Sequence, residues 1–182
     1  MQSFLFLLFA LAPLITNNST ISATLSDSPQ PYEEILSEIG YKTVIEASQD
    51  FEQHFKQKLQ LPLLVPPISF THQVGRLNNL DGETNDYFEV KFINNLSPKN
   101  HFKIEVRPIE HKIEFNNDKY TANIFKLNNG IEAKYLEKLP QIGFNLFVFE
   151  RDNWQYIFGI DKRVSNKLTP EILVQLANSI GN

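Results

Sequence analysis

Gly143 to Asp161 reads GFNLFVFERDNWQYIFGID and is the most apolar stretch downstream of the N-terminal segment. In an extended chain Phe144, Leu146 and Val148 point one way and Phe147 and Phe149 the other. Both faces are apolar, so the spacing predicts a central strand covered on both sides. Arg151, Asp152 and Asn153 read as a turn, because Asp and Asn tolerate turn conformations and bond their own backbone. Trp154, Tyr156, Phe158 and Ile160 then share one face of the returning strand, opposite a mixed face of Gln155, Ile157, Gly159 and Asp161. Such an aromatic row can serve as a ligand platform. The reading adopted is core, since aromatic side chains carry most of a core's buried area.

The strands upstream follow the same period of two. Ile68–Val74 places Ile68, Phe70, His72 and Val74 inward. Tyr87–Ile93 places Phe88, Val90 and Phe92 inward. His101–Arg107 alternates most cleanly, with Phe102, Ile104 and Val106 inward and His101, Lys103, Glu105 and Arg107 outward, as in a half-exposed strand. Pro108 ends it or marks an edge, and Lys112–Phe115 continues the sheet briefly. Tyr120–Leu127 and Ile131–Leu136 flank Asn128-Asn129-Gly130, a strong turn signal.

Helices flank the strands. Pro31 opens a short helix with Tyr32, Ile35, Leu36 and Ile39 at helical spacing and Gly40 as its stop. Thr43 and Glu46 have capping-box spacing before a stripe of Val44, Ala47, Phe51, Phe55 and Leu59, which Pro62, Pro66 and Pro67 end. At the C-terminus Thr169, Pro170 and Glu171 start a helix whose apolar face is Ile172, Leu173, Leu176, Ala177 and Ile180. The expected fold is α+β, a largely antiparallel sheet of about six to seven strands packed by N-terminal and C-terminal helices. Residues 43–182 form a single domain, preceded by a tether and short helix over 24–42.

Residues 1–23 read as a signal peptide. Phe4–Ile15, FLFLLFALAPLI, is an apolar run of signal length, and Ile21-Ser22-Ala23 is an acceptable cleavage site. Met1-Gln2-Ser3 lacks the usual Lys or Arg, so either the terminal amine supplies the charge or the translation start lies upstream. A buried N-terminal helix and an uncleaved anchor are the alternatives. The expected location is extracytoplasmic, secreted or associated with the cell envelope, with membrane contact only through an uncleaved N-terminal segment.

The 182-residue chain has a formal net charge of −4 with both signs interspersed, which argues against a nucleic-acid partner. It contains no Cys, and disulfides, thiolate metal sites, cysteine catalysis and a lipobox are thereby excluded. His54, His72, His101 and His111 do not pair at metal-ligand spacing on one element, and each reads as a packed histidine. Asn78–Asp86, NNLDGETND, is the one loop with several hard oxygen donors. Asp81, Glu83 and Asp86, with Asn85, are the weak metal candidates, for Ca²⁺. The spacing departs from the EF-hand pattern, and a solvated turn at Asp81-Gly82 is the preferred reading. The chain has no G-x-S-x-G and no glycine-rich phosphate loop, so no catalytic residue and no cofactor is assigned. Lys162-Arg163 with Lys167 reads as a solvated basic loop. The sequons at Asn17, Asn18 and Asn95 are formal matches.

Asp152-Asn153-Trp154-Gln155-Tyr156, Asp161-Lys162-Arg163, Leu168-Thr169-Pro170-Glu171 and Ala177-Asn178-Ser179-Ile180 together resemble a bacterial extracytoplasmic domain family of unknown function. That family occurs in lipoproteins and membrane-anchored regulators. Asn129-Gly130 and the run from Leu61-Pro62 to Pro66-Pro67 are similar too, so the likeness spans Thr43 to Ile180. It implies an envelope-side accessory or binding domain, PsbP-like in shape, with no catalytic residues to transfer. The lipobox Cys of the lipoprotein members is absent here. The leading expectation is an exported, non-enzymatic domain that binds an envelope component, protein or apolar ligand through an open sheet face or the groove beneath the terminal helices. The alternative is a secreted hydrolase whose site is assembled from dispersed His and acidic residues.

Overall fold

The computed structural model describes residues 31–79, 86–115 and 121–181. The expected signal peptide and the Thr24–Gln30 tether lie outside these, as do Asp81, Glu83 and Asn85.

The opening hairpin forms as read, with the turn one residue shorter. Strands Phe144–Arg151 and Trp154–Asp161 pair antiparallel, Arg151 opposite Trp154. Only Asp152 and Asn153 lie between them, at φ 51° and 67°. Two consecutive left-handed residues match the twist of the flanking strands, and Asp and Asn enter that region at little cost.

In chain order the elements are α1 (Tyr32–Glu38), α2 (Val44–Phe55), β1 (His72–Asn78), β2 (Tyr87–Ile93), β3 (His101–Pro108), β4 (Thr121–Lys126), β5 (Glu132–Glu137), β6 (Phe144–Arg151), β7 (Trp154–Asp161) and α3 (Pro170–Asn178). The described strands make one seven-stranded antiparallel sheet of order β1-β2-β3-β7-β6-β5-β4. The fold class is α+β. The opening hairpin supplies the central strand, β7, which is buried along its whole length. Asn128-Asn129-Gly130 makes the β4–β5 turn, with Gly130 at φ 82°.

The main core lies between one sheet face and helices α2 and α3. Ala47 and Phe51 of α2 and Leu173, Leu176 and Ala177 of α3 meet Phe88, Val90, Phe102, Val106, Phe147, Tyr156 and Phe158 there. Thr43 caps α2 as its spacing predicts: its hydroxyl accepts from Glu46 N–H at 3.3 Å, and Glu46 accepts from Thr43 N–H at 3.1 Å. The helix stops at Phe55 because Lys56 turns left-handed, at φ 55°, so Leu59 reaches the core from the following segment. The opposite face carries a smaller apolar cluster of Leu136, Leu139, Leu146, Val148 and Ile157. Among the described residues no helix is long and apolar enough to cross a membrane.

Three local expectations are corrected. The first strand begins at His72, and its alternation is the reverse of that read. Gly75 faces α2, where an added Cβ would lie 2.9 Å from Ala47 Cβ, so His72 and Val74 face the other way. There Val74 and Ile93 pack with Tyr32, Leu36 and Tyr41. Helix α1 therefore covers the face opposite α2, and the chain passes around the free edge of β1, where Lys42 exchanges both backbone hydrogen bonds with Gly75 at 2.9 Å. That bridge covers the middle of the β1 edge.

The second correction is Lys112–Phe115, which forms no strand. The Gln155 side chain takes the place of a neighbouring backbone, accepting from Ile113 N–H at 2.9 Å and donating to its carbonyl at 3.0 Å. Third, β3 is not half-exposed. Glu105 and Arg107 are only 9% and 7% exposed. Charges two positions apart along each strand satisfy one another: on β3 Glu105 accepts from Lys103 at 2.6 Å and from Arg107 at 3.2 Å, and on β2 Lys91 lies 3.3 Å from Glu89. Tyr41 donates to Glu89. Burial first, then that carboxylate, pushes the Tyr41 phenol far above its ordinary range. Gly159 leaves room for Lys103 to lie flat across β7.

Candidate functional site

The C-terminal end of α2 overhangs one end of the sheet. Phe55 turns inward onto Trp154, ring centroids 5.1 Å apart and edge to face, while Phe51 stacks obliquely on the same indole at 4.9 Å. Trp154 is 8% exposed, so the core reading of the aromatic row holds for its first member. His54 sits one residue before Phe55 and stands edge-on to that ring at 4.6 Å. This orientation carries its Nε2 to Asp86, whose Oδ2 accepts at 2.8 Å.

Asp86 lies immediately before β2 and is 1% exposed. Its Oδ1 has no hydrogen-bond partner. A buried carboxylate oxygen without a donor is costly, because the desolvation of that atom is uncompensated. Across from it, β3 ends at Pro108, which pairs with Trp154, and a 3₁₀ turn over Ile109–His111 follows. Ile109 N–H donates to the Asn153 carbonyl at 3.0 Å and ties that turn to the β6–β7 hairpin. His111 Nδ1 is also buried without a partner.

These segments enclose a cavity of about 400 Å³. Its apolar wall is Phe55, Pro108 and Trp154; its polar wall is His54 and Asp86, with Gln57, Glu110, His111 and Asn153 around the mouth. The described lining thus contains two carboxylates, two imidazoles and two amides, and neither Lys nor Arg. The nearby Lys112 ammonium is engaged by Glu114 and Glu150, each at 3.1 Å. A volume of this size suits a small organic molecule. A second, shallower depression of about 690 Å³ lies beside α3 over Phe125, Val174 and Leu64.

The other sequence candidates lie elsewhere. His72 Nε2 donates to Glu33 Oε1 at 2.8 Å and its ring packs on Tyr32, which makes it part of the α1 seat. His101 stands edge-on to Phe144 at 4.9 Å. Burial first, and then Lys91, hold its pKa below the ordinary histidine value. Of the metal candidates, Asp86 turns inward to His54, and Asp81 and Glu83 fall outside the described residues. Among the described residues no group of three or more His, Asp or Glu is arranged to hold a metal ion. The basic loop is tied down: Lys162 donates to the Leu139 carbonyl at 3.0 Å, and Arg163 clamps Asp161 at 2.6 Å and 2.9 Å.

The pairing of His54 with Asp86 is the feature that sequence reasoning missed. Thirty-two positions separate the two residues. The one available hint is that His54 adjoins the buried stripe of α2 and Asp86 flanks an apolar strand, so each begins beside a core element.

No family model, no curated protein and no solved structure matches this chain.

Proposed function

We propose that this protein is an exported, non-enzymatic binding domain that works on the envelope side of the cell membrane and holds a small ligand in the cavity between α2 and the β6–β7 turn. The observation that carries the reading is the cavity itself: an aromatic wall and a polar wall converge on a buried carboxylate with a free acceptor oxygen. That combination supplies contact area and orientation, the two requirements of recognition. The groove between α3 and the sheet is a poorer candidate. The Leu61–Pro66 segment fills it and leaves a space of only about 50 Å³. The sheet face across β1–β3 is closed by its own ion pairs. Export rests on the apolar Phe4–Ile15 run and the small-residue site before Thr24.

The test has two parts. Protein recovered outside the cytoplasm should begin near Thr24 by mass spectrometry; an intact Met1 on cytosolic protein contradicts export. The indole N–H resonance of Trp154, the only Trp in the chain, should shift on titration with envelope extract. Gln57→Phe, which narrows the mouth from an exposed position, should abolish the shift. A shift that survives Gln57→Phe contradicts the cavity as the site.

The His54–Asp86 pair favours a second reading, hydrolysis, since a histidine oriented by a buried carboxylate is the base half of a nucleophilic site. The described lining offers that base no Ser, Thr, Cys or Lys, so the base would have to act on water. Turnover of ester or glycoside substrates that disappears in His54→Ala, with the fold intact, would establish this reading over the first.

A further inference from the structure

We infer that the ligand of this cavity carries an organic ammonium group, which seats against Asp86 Oδ1 and beneath Glu110, with the Trp154 and Phe55 rings beside it. This rests on the proposal that the cavity is the binding site and names the chemistry it selects.

Three independent features point to a cationic donor. The first is charge. Asp86 and Glu110 line the cavity, and among its described lining residues there is neither Lys nor Arg. His54 Nε2 engages Asp86 Oδ2 at 2.8 Å and leaves Oδ1 open. Among the described lining residues an anion meets two carboxylates and no fixed positive charge.

The second is unmet hydrogen-bonding capacity. Asp86 Oδ1 is an acceptor only, sealed from bulk solvent and unpartnered, with its side chain 2% exposed. His111 Nδ1 is likewise unpartnered and can accept when the proton is on Nε2. Two unpartnered acceptors on residues that line one cavity favour a group with several N–H donors. An ammonium has that property, whereas a carboxylate, an ether or a carbonyl does not.

The third is the aromatic wall. Indole and phenyl faces attract cations through their quadrupole, most strongly where water is excluded. Trp154 is held in place by Phe51 and Phe55, so this surface is rigid before any ligand arrives.

The experiment titrates the purified protein with three probes of equal shape: benzylammonium, benzyl alcohol and benzoate. Trp154 is the sole Trp, so its fluorescence and indole N–H resonance report on this cavity alone. Benzylammonium should move both signals, with binding at least about tenfold tighter than benzyl alcohol, as expected for a charge-assisted hydrogen bond to a buried carboxylate. Benzoate should leave both unchanged. Glu110→Gln, at an exposed position, should weaken benzylammonium by about threefold or more and flatten the salt dependence of binding. Asp86→Asn should remove the preference for the cation. If Asp86→Asn does not fold, the Glu110→Gln and probe comparisons still decide. Benzyl alcohol or benzoate matching benzylammonium at Trp154 would overturn the ammonium inference and leave the cavity as a binding site. If none of the three moves Trp154, the inference is overturned and the cavity reading loses its support.

Discussion

Gly75 and Gly159 both lie inside strands, and the same substitution should have unequal consequences at the two. At Gly75 an added Cβ would stand 2.9 Å from Ala47 Cβ and 3.2 Å from Val44 Cα. Carbon atoms pack best at about 3.5–4.0 Å. Neither neighbour can step aside, since one is helix backbone and the other has no rotamer. Strand β1 cannot retreat either, because Gly75 exchanges two backbone bonds with Lys42. Replacing glycine in a strand gains about 0.5–1 kcal/mol of chain entropy, and overpacking a rigid contact costs about 1–3 kcal/mol. Gly75→Ala should therefore lose about 1–2 kcal/mol. At Gly159 the Cβ would approach Lys103 Cγ at 2.7 Å and Cε at 2.9 Å, but that chain can swing away. Arg107 continues to satisfy the buried Glu105 carboxylate when Lys103 shifts, so Gly159→Ala should fall within about 0.5 kcal/mol of the parent. Urea unfolding measures both. Gly75→Ala should lower the midpoint by about 0.5–1 M at unchanged slope, and Gly159→Ala should leave it nearly still. Adding Ala47→Gly to Gly75→Ala reopens the contact, and the pair should couple by about 0.5 kcal/mol or more. A Gly75→Ala protein as stable as the parent, or equal losses at the two sites, would refute the close approach of α2 to β1.

Trp154→Ala should destabilise by about 3–5 kcal/mol in the same assay, as the loss of a core aromatic shared by Phe51 and Phe55; normal stability would show that the indole serves the cavity alone. Thr43→Ala should cost about 1 kcal/mol through the capping box while Thr43→Ser retains it, and equal losses would discount the hydroxyl. Stability should fall as pH drops below about 6.5, the ordinary histidine value, towards the lower folded pKa of His101. The unfolded chain binds that proton first, because burial and Lys91, with Lys103, oppose it in the folded state, while Asp161 and Glu89 only partly compensate. His101→Phe should flatten the slope between pH 7.5 and 5, and parallel slopes for variant and parent would assign the pH dependence elsewhere.

The sheet was legible where one physical rule acted alone. In β2, β3 and β7 every residue of one alternating set is apolar, and in β6 the middle run Leu146–Phe149 is apolar on both faces, so burial dictates the arrangement. The two-residue turn at Asp152-Asn153, the Asn128-Asn129-Gly130 turn and the Thr43–Glu46 cap were legible because their chemistry is local. Strand β1 misled because Gln73, Gly75 and Leu77 look like the weaker face. The missing side chain at Gly75 is what lets α2 approach, and no hydropathy scale credits an absent atom. On β3 the polar set was correctly placed and wrongly taken as wet. Glu105 and Arg107 are buried because Lys103 and Arg107, two positions away on either side of Glu105 along the same strand face, satisfy its carboxylate, a pairing of neighbours that hydropathy alternation reads as solvated.

The site was not legible for a related reason. Its parts come from the end of α2, the entry to β2, the 3₁₀ turn after β3 and the β6–β7 turn, four chain segments that meet only because β3 pairs with β7 in the sheet order. Sequence spacing carries no trace of that crossing. Each part also reads as something bland on its own: a histidine beside a helix stripe, an aspartate at a strand entry, a hairpin turn. What distinguishes Asp86 is a relation and not a pattern, namely one oxygen bonded to His54 and the other left bare in a dry wall. A fold seldom retains a bare buried acceptor for stability alone, since an apolar residue of similar shape would avoid its cost. Asp86→Leu supplies the contrast. If the carboxylate is kept for a ligand, that variant should match or exceed the parent in stability while losing benzylammonium binding at Trp154. If the carboxylate instead anchors His54 for the fold, the variant should lose stability, and binding and folding would fail together.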